Sequence, residues 1–468
     1  MAGPIHNFSE SNRLNGRLHD LIPGGSHTYS KGEDQFPALS PKVMAQAEGA
    51  YCWDVDGNRY IDWAMGNRVM VLGHAYPSVN EAVIRQIGKG LNFSRPSILE
   101  YELAEYLTSL FPVAEMVKFG KNGSDVTSAA IKLSRAYTGR KYVACCSEHP
   151  FFSINDWFIG ITPMQAGVPE EVAALTLQFH YNEIESVKAL FEQYPGQIAA
   201  LILEPVKLDP PREDFLPELR RLCTQNGTVL IFDEMISGIR FDLRGAHHLW
   251  GVYPDLACFG KAISNGYSFS MLAGKRELMR LGGMHHDQRR VFLLSQTHSS
   301  ETVGLAACRA TLEECQAKAV TEHIWRLGNK LKSEFCQLAQ AEGVAEYVRM
   351  IGYDCNPQIV CTHEDGTAWP ELNAVFHEEL ISCGVIIPWI TITLSHGEEE
   401  VRHTLTACQQ GMDRVKKEIS SETVNELYRD QAPKPVFRSF NRCRQSRCGR
   451  LHPVGQQLDC CHDAGEIS

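Results

Sequence analysis

Three short apolar runs, each stopping at a charged side chain, set the strongest limit on how this chain can fold. Residues 198–203 read IAALIL and meet Glu204; residues 229–232 read VLIF and meet Asp233; residues 256–259 read LACF and meet Gly260 and Lys261. Apolar runs this short, with no polar position inside them, suit strands buried on both faces, as in a parallel sheet covered by helices. A charge at the end of a buried strand is costly unless an opposite charge or a hydrogen-bonding group meets it there. Asp233 therefore needs a partner, and Lys261, 28 residues on, ends the neighbouring run.

The flanking sequence supplies the helices and loops such a sheet requires. Residues 77–90 and 98–111 carry apolar side chains at three-to-four spacing and predict amphipathic helices. A short strand at 116–119 leads into the turn GKNGSD at 120–125 and a helix over 126–137. Strand, glycine turn and helix start together form an anion site, since free N–H groups and the helix dipole converge there; Gly123 and Ser124 are its candidates, although the same pattern serves plain N-capping. Tyr142–Cys146 is a further strand, and residues 214–226 are the helix crossing from the 198–203 strand to the 229–232 strand. The alternation over 116–273 predicts an α/β fold with a mostly parallel sheet and helices on both faces. Its ligands belong beyond the carboxyl ends of the strands, where Glu204, Asp233 and Lys261 all fall. Residues 51–63 read as a β-hairpin turning at Asp56-Gly57, and a long amphipathic helix over 321–342 opens a C-terminal part in which strands mix with helices to about residue 417.

Length and charge exclude several function classes. At 468 residues there is room for two domains, and a net charge of −11 argues against a nucleic-acid surface, which needs clustered Lys and Arg. No apolar run approaches the roughly 20 residues that span a bilayer. The polar N-terminus lacks the apolar core of a secretory signal, so a cytoplasmic location is expected. The 16 cysteines, such as Cys223, Cys258 and Cys308, show neither disulfide-scaffold nor zinc spacing and read as reduced thiols. His285 and His286 have no third ligand nearby, so no metal site is expected. Beyond Pro435 the chain turns basic, and Cys443, Cys448, His452, Cys460, Cys461 and His462 fit no common zinc pattern; residues 421–468 are expected to be a disordered tail.

A lysine and an acid at adjacent strand ends meet the demands of pyridoxal phosphate: an amine for the Schiff base, and a carboxylate to keep the ring nitrogen protonated. An ordinary salt bridge at the mouth of a sheet fits the same two residues. DEMISGIR at 233–240, GVYPDLACFGKAISNG at 251–266 and the spacing between them resemble the class III pyridoxal-phosphate aminotransferases, nearest the glutamate-1-semialdehyde 2,1-aminomutase branch. The resemblance runs from about residue 21 to about residue 417 and implies a fold-type I transferase. In that scheme residues 1–70 contribute to the small domain and active site, 71–300 form the large cofactor-binding α/β domain, and 301–420 form a smaller α+β domain. It implies Lys261 as the Schiff-base lysine, Asp233 at the ring nitrogen, Gly123 and Ser124 on the phosphate, and Met235 against one ring face. Glu204 is a nearby acid, and His149 or Phe151 faces the ring from the other side. Thr297 matches a threonine that reaches the phosphate of a neighbouring subunit, which implies a homodimer with shared sites. Three positions depart from the branch: Lys31 stands where it has a substrate-binding arginine, Asn67 where it has tryptophan, and Ser264-Asn265-Gly266 where it has a glycine triplet. Arg240 and Arg244 fall in a loop, open to a substrate carboxylate or to solvent. The expected activity is amino transfer between a small amine donor and a carbonyl acceptor. An intramolecular aminomutase, or a non-catalytic protein that kept the fold, are the alternatives.

Overall fold

The computed structural model describes residues 5–421, then 424, 428 and 432–438, together with the backbone of strands Phe440–Arg442 and Leu451–Pro453. Cys443, Cys448, Cys460, Cys461 and His462 lie outside the described residues, as does most of the 421–468 tail, and His452 is described in its backbone alone. Thirteen further strands are formed: β1 Met44–Glu48, β2 Tyr51–Asp54, β3 Arg59–Asp62, β4 Met116–Gly120, β5 Tyr142–Cys146, β6 Thr176–Phe179, β7 Ile198–Leu203, β8 Val229–Asp233, β9 Leu256–Phe259, β10 Ser270–Gly274, β11 Val348–Tyr353, β12 Asn356–Cys361 and β13 Val385–Ile386.

Seven of these make the large sheet, in the order β4-β10-β9-β8-β7-β5-β6. The pairs β9/β8, β8/β7, β7/β5 and β5/β6 are parallel, and β10 alone runs antiparallel to both neighbours. Connection length explains this. Parallel neighbours need a crossover, which helix Phe215–Asn226 supplies between β7 and β8, whereas β9 returns to β10 through the loop at 260–269, with no crossing helix beyond the single 3-10 turn Lys261–Ser264. Every residue of β7, β8 and β9 is buried, as their uninterrupted apolar sequences require. Each fully buried Leu, Ile or Phe there contributes about 1.5–3 kcal/mol. The chain is thus a mixed α/β fold with a mostly parallel main sheet, as the sequence predicts.

The helix expected over 126–137 is longer and begins at Gly123, because Asn122 and Asp125 cap it reciprocally. Gly123 and Ser124 therefore sit in its first turn. A second sheet, β1-β2-β3-β13, joins the predicted N-terminal hairpin to the C-terminal part, with Ile61 opposite Val385 in a parallel pair. Trp63, just past β3, stacks on His396 with ring centroids 4.1 Å apart and donates to Thr404 Oγ1 at 2.9 Å. Helix Val320–Ala341 packs on the β11–β12 hairpin through Gly328, where an added Cβ would fall 1.7 Å from the Asp354 carbonyl oxygen.

Gly328→Ala is expected to destabilise the protein by about 1–3 kcal/mol or more, because the obstructing atom is backbone. Gly16→Ala, in helix Ser9–Leu21 with nothing within 4 Å of the added carbon, is expected to stabilise by about 0.5–1 kcal/mol. Denaturant unfolding of the two variants checks both signs.

Candidate active site

Register in the main sheet puts the predicted charges side by side. Leu203 pairs with Phe232 and Asp233 with Cys258, so Glu204, Asp233 and the Gly260-Lys261 step emerge at the same edge from three adjacent strands. The glycine turn after β4 opens at that edge too, since Gly120 pairs with Ser270, the first residue of the reversed strand β10. Met235 joins the two halves: a Cβ on Gly123 would lie 3.1 Å from its sulfur, and a Cβ on Gly260 would lie 2.6 Å from it. The thioether therefore fills the space between the turn and the lysine.

The charges are held in low dielectric and perturb one another. Burial, then the neighbouring Glu204 carboxylate, push Asp233 up to about 7. Burial also raises Glu204 and lowers Lys261, although the field of Asp233 opposes the second shift. Asp233 Oδ1 accepts the Met235 N–H at 2.9 Å, and its carboxylate makes no other hydrogen bond among the described residues. Lys261 is half-buried and sits at φ 50, left-handed backbone that a lysine adopts only when its surroundings dictate it.

The turn at 120–125 is organised by Asp125, whose Oδ2 accepts from the N–H groups of Lys121 (3.0 Å) and Asn122 (2.8 Å). Ser124 is buried and its Oγ accepts the Ile154 N–H at 3.1 Å. Lys121 points away from the turn and pairs with Glu301 at 2.8 Å. Glu301, which ends the loop at 295–301, caps helix Thr302–Ala317 by accepting the Val303 N–H. Thr297 lies in that preceding loop, exposed on the single chain.

His149 is buried against Tyr181 and Phe152, and its Nδ1 accepts the Glu204 N–H at 3.0 Å. Burial and the charge of Lys207 push it down to about 3, so the ring is neutral. Phe151 is exposed and stacks on Phe437. Lys31 is exposed and makes no side-chain hydrogen bond or ion pair among the described residues; its loop touches the site through Ser30, whose Oγ accepts from Asn67 Nδ2 at 3.2 Å.

Three features have a geometry the sequence did not announce. Met65, Gly66, Asn67 and Arg68 have φ of 46, 60, 74 and 65, a left-handed turn where the sequence suggests a plain loop or a ligand contact at Asn67. Left-handed backbone costs roughly 1–2 kcal/mol per non-glycine residue, so its surroundings must hold it in place. Arg240 is one clamp. Rather than lying in solvent it is 2 % exposed, and its Nη2 donates to the carbonyls of Arg68 (2.6 Å) and Met70 (2.9 Å). Asn265 is the other: its Oδ1 accepts from Val71 and Leu72 N–H, each at 2.9 Å, and its Nδ2 donates to the Gly73 carbonyl. The only sequence signal was Asn265-Gly266 after the lysine, since Asn tolerates the φ of 45 found there. Arg244 stays half-exposed, paired with Asp242 at 2.9 Å.

A cavity of about 1610 Å³ between Phe8, Arg59, Arg402 and Arg414 is lined by none of these residues. Among the described residues no His/Cys/Asp/Glu group is arranged to hold a metal ion, and no helix is long and apolar enough to cross a membrane.

The Aminotransferase class-III family model matches residues 29–387. Among solved structures, the FumI protein of a Sphingopyxis species, in its pyridoxal-phosphate form, is 25% identical; the match covers 88% of this chain and 97% of that one with a TM-score of 0.80. An omega-transaminase from Sphaerobacter thermophilus is 26% identical over 87% of this chain and 98% of its own, TM-score 0.79. A glutamate-1-semialdehyde aminomutase from Pseudomonas aeruginosa shares the fold at 22% identity, covering 87% and 94%, TM-score 0.76.

The raised Asp233 sets a pH dependence. Its ordinary value is 3.8 and its folded value about 7, so its contribution to the cofactor-free protein is complete below the first and lost as pH rises through the second. Asp233→Asn should therefore gain stability relative to the parent between about pH 4.5 and about pH 8, by on the order of 1–3 kcal/mol. Urea unfolding of both cofactor-free proteins at the two pH values measures the gap; an unchanged gap contradicts the assignment.

Proposed function

The chain belongs to the class III aminotransferases, pyridoxal-phosphate enzymes that pass an amino group between an amine and a carbonyl compound, and from that membership we propose that Lys261, Asp233 and the turn at Gly123 and Ser124 hold the cofactor and carry out the transfer. The observation that carries this is the meeting of an amine of lowered pKa, at left-handed φ, with two buried carboxyls at the ends of adjacent strands.

The residues present fit the group. The second Asp233 oxygen is left for a protonated ring nitrogen, whose charge would bring the carboxyl back to its ionised form. Met235 would give one ring face an apolar wall, and His149, neutral and packed on Tyr181, would border the other. The first-turn N–H groups at Gly123 and Ser124 would meet the phosphate. Glu204 would be a nearby acid, its N–H donating to His149. When bound, the cofactor supplies the electron sink that makes the carbon bearing the amine acidic. Lys261, its pKa lowered by burial, would hold the cofactor aldehyde through Nζ, and the same amine, once released, would move the proton from that carbon to the other end of the transfer.

We infer a homodimer with shared sites, in which Thr297, exposed in the loop before helix Thr302–Ala317, would donate to the phosphate of a second copy. We keep the division at about residues 70, 300 and 420, with the β3–β13 pairing drawing the N-terminal segment into the smaller domain. The aminomutase of the glutamate-1-semialdehyde type stands second, because Lys31, Asn67 and Ser264-Asn265-Gly266 differ from that branch around the substrate.

Lys261→Ala should abolish turnover and, together with it, the visible absorbance near about 420 nm of the cofactor-loaded enzyme. Wild-type protein that stays colourless with added pyridoxal phosphate defeats the proposal. Single turnover with an amino donor alone separates the two activities: release of a keto product marks the transaminase, and its absence marks the aminomutase.

A further inference from the structure

Arg68 is a cation of the cleft that the chemistry above leaves unused. It ends the left-handed turn at 65–68, and every constraint on that turn fixes where its side chain leaves the backbone. Asp62 Oδ1 accepts from the Ala64 and Met65 N–H groups, Arg240 grips the Arg68 and Met70 carbonyls, and Asn265 fastens residues 71–73. Strained backbone held from three sides is a device for presenting a side chain. Yet the guanidinium presented is half-buried and has no hydrogen bond or ion pair among the described residues.

The charges around it are out of balance. Arg68 feels one carboxylate, Glu204, while Lys207, Lys261 and Arg240 all feel Arg68. Arg240 is itself buried with Nε and Nη1 unpartnered. Glu204 is the one carboxylate acting on Arg68 and on Lys207, and none acts on Arg240. The phosphate belongs at the turn of Gly123 and Ser124, whereas the turn carrying Arg68 is tied to Ser30, Arg240 and Asn265. That leaves the Arg68 fork open to a second anion, and its planar geometry suits a carboxylate. The neighbouring loop, where Lys31 stands in solvent, touches this turn at Ser30 and adds no cation of its own to it.

Resting on the aminotransferase reading, we propose that Arg68 binds the carboxylate of the substrates, so that donor and acceptor are amino acids and oxo acids rather than simple amines and ketones. Asn67 and Ser30 border the same carboxylate position.

Two measurements test this. The first compares Arg68→Asn with the parent on substrates that differ by the carboxylate: β-alanine against ethylamine, and 4-aminobutyrate against propylamine. Asn tolerates left-handed backbone, so the variant keeps the turn. The proposal expects kcat/KM to fall about 10- to 100-fold for the amino acids and less than about 3-fold for the amines, with Arg68→Lys between. Equal losses on both members of a pair, or none, overturn it. The second is calorimetry on cofactor-free protein with pyruvate, succinate and inorganic phosphate. Arg68→Asn should weaken the carboxylates by about the same factor and leave phosphate binding at the glycine turn unchanged. Carboxylates that bind neither protein, or bind both equally, or a matching loss for phosphate, overturn it. Because this arm needs no cofactor, a colourless protein would sink the aminotransferase reading without deciding the role of Arg68.

Discussion

The buried charges of Lys261, Asp233 and Glu204 at the ends of three neighbouring strands are the constraint to which the rest of the structure answers. Three ionisable groups with little water around them are unstable alone, and in this chain each shifts toward its neutral form. The strands that carry them are buried at every position, which fixes their spacing and denies them solvent. The glycine turn, Met235 and His149 then close the space around them. A site of this kind is costly to the empty protein and is relieved by a ligand bringing one cation and at least one anion, the charge pattern of the family's cofactor.

Much of this was legible because periodicity and charge coincide in the sequence. The runs at 198–203, 229–232 and 256–259 become β7, β8 and β9 with almost no adjustment, and the crossover helix lies where the pattern put it. The site was legible as far as its residues follow directly from strand ends. Asp233, Glu204 and Lys261 need only the register of a parallel sheet, and Met235 only two more residues of chain.

What stayed hidden depends on contacts between distant segments. Arg240 reads as a surface arginine because nothing near it in sequence announces the two carbonyls, some 170 residues away, that it binds. The left-handed turn at 65–68 could not be read either: its sequence, MGNR, contains one glycine, and three other residues adopt positive φ only because Asp62, Arg240 and Asn265 impose it. The helix start at Gly123 was missed for a simpler reason. Asn122 and Asp125 form a reciprocal cap without the Ser/Thr and Glu pair that usually marks one.

The pairing of β3 with β13 bears on how such a molecule is assembled. Ile61 meets Val385 at a separation of 324 residues, and the strained turn follows β3 directly. During synthesis the main sheet has all seven of its strands by residue 274, long before residue 385 leaves the ribosome. The N-terminal sheet is thus completed only after the main one. A nascent or truncated chain would hold the lysine and the glycine turn, yet lack the strand that closes β3 on its open edge.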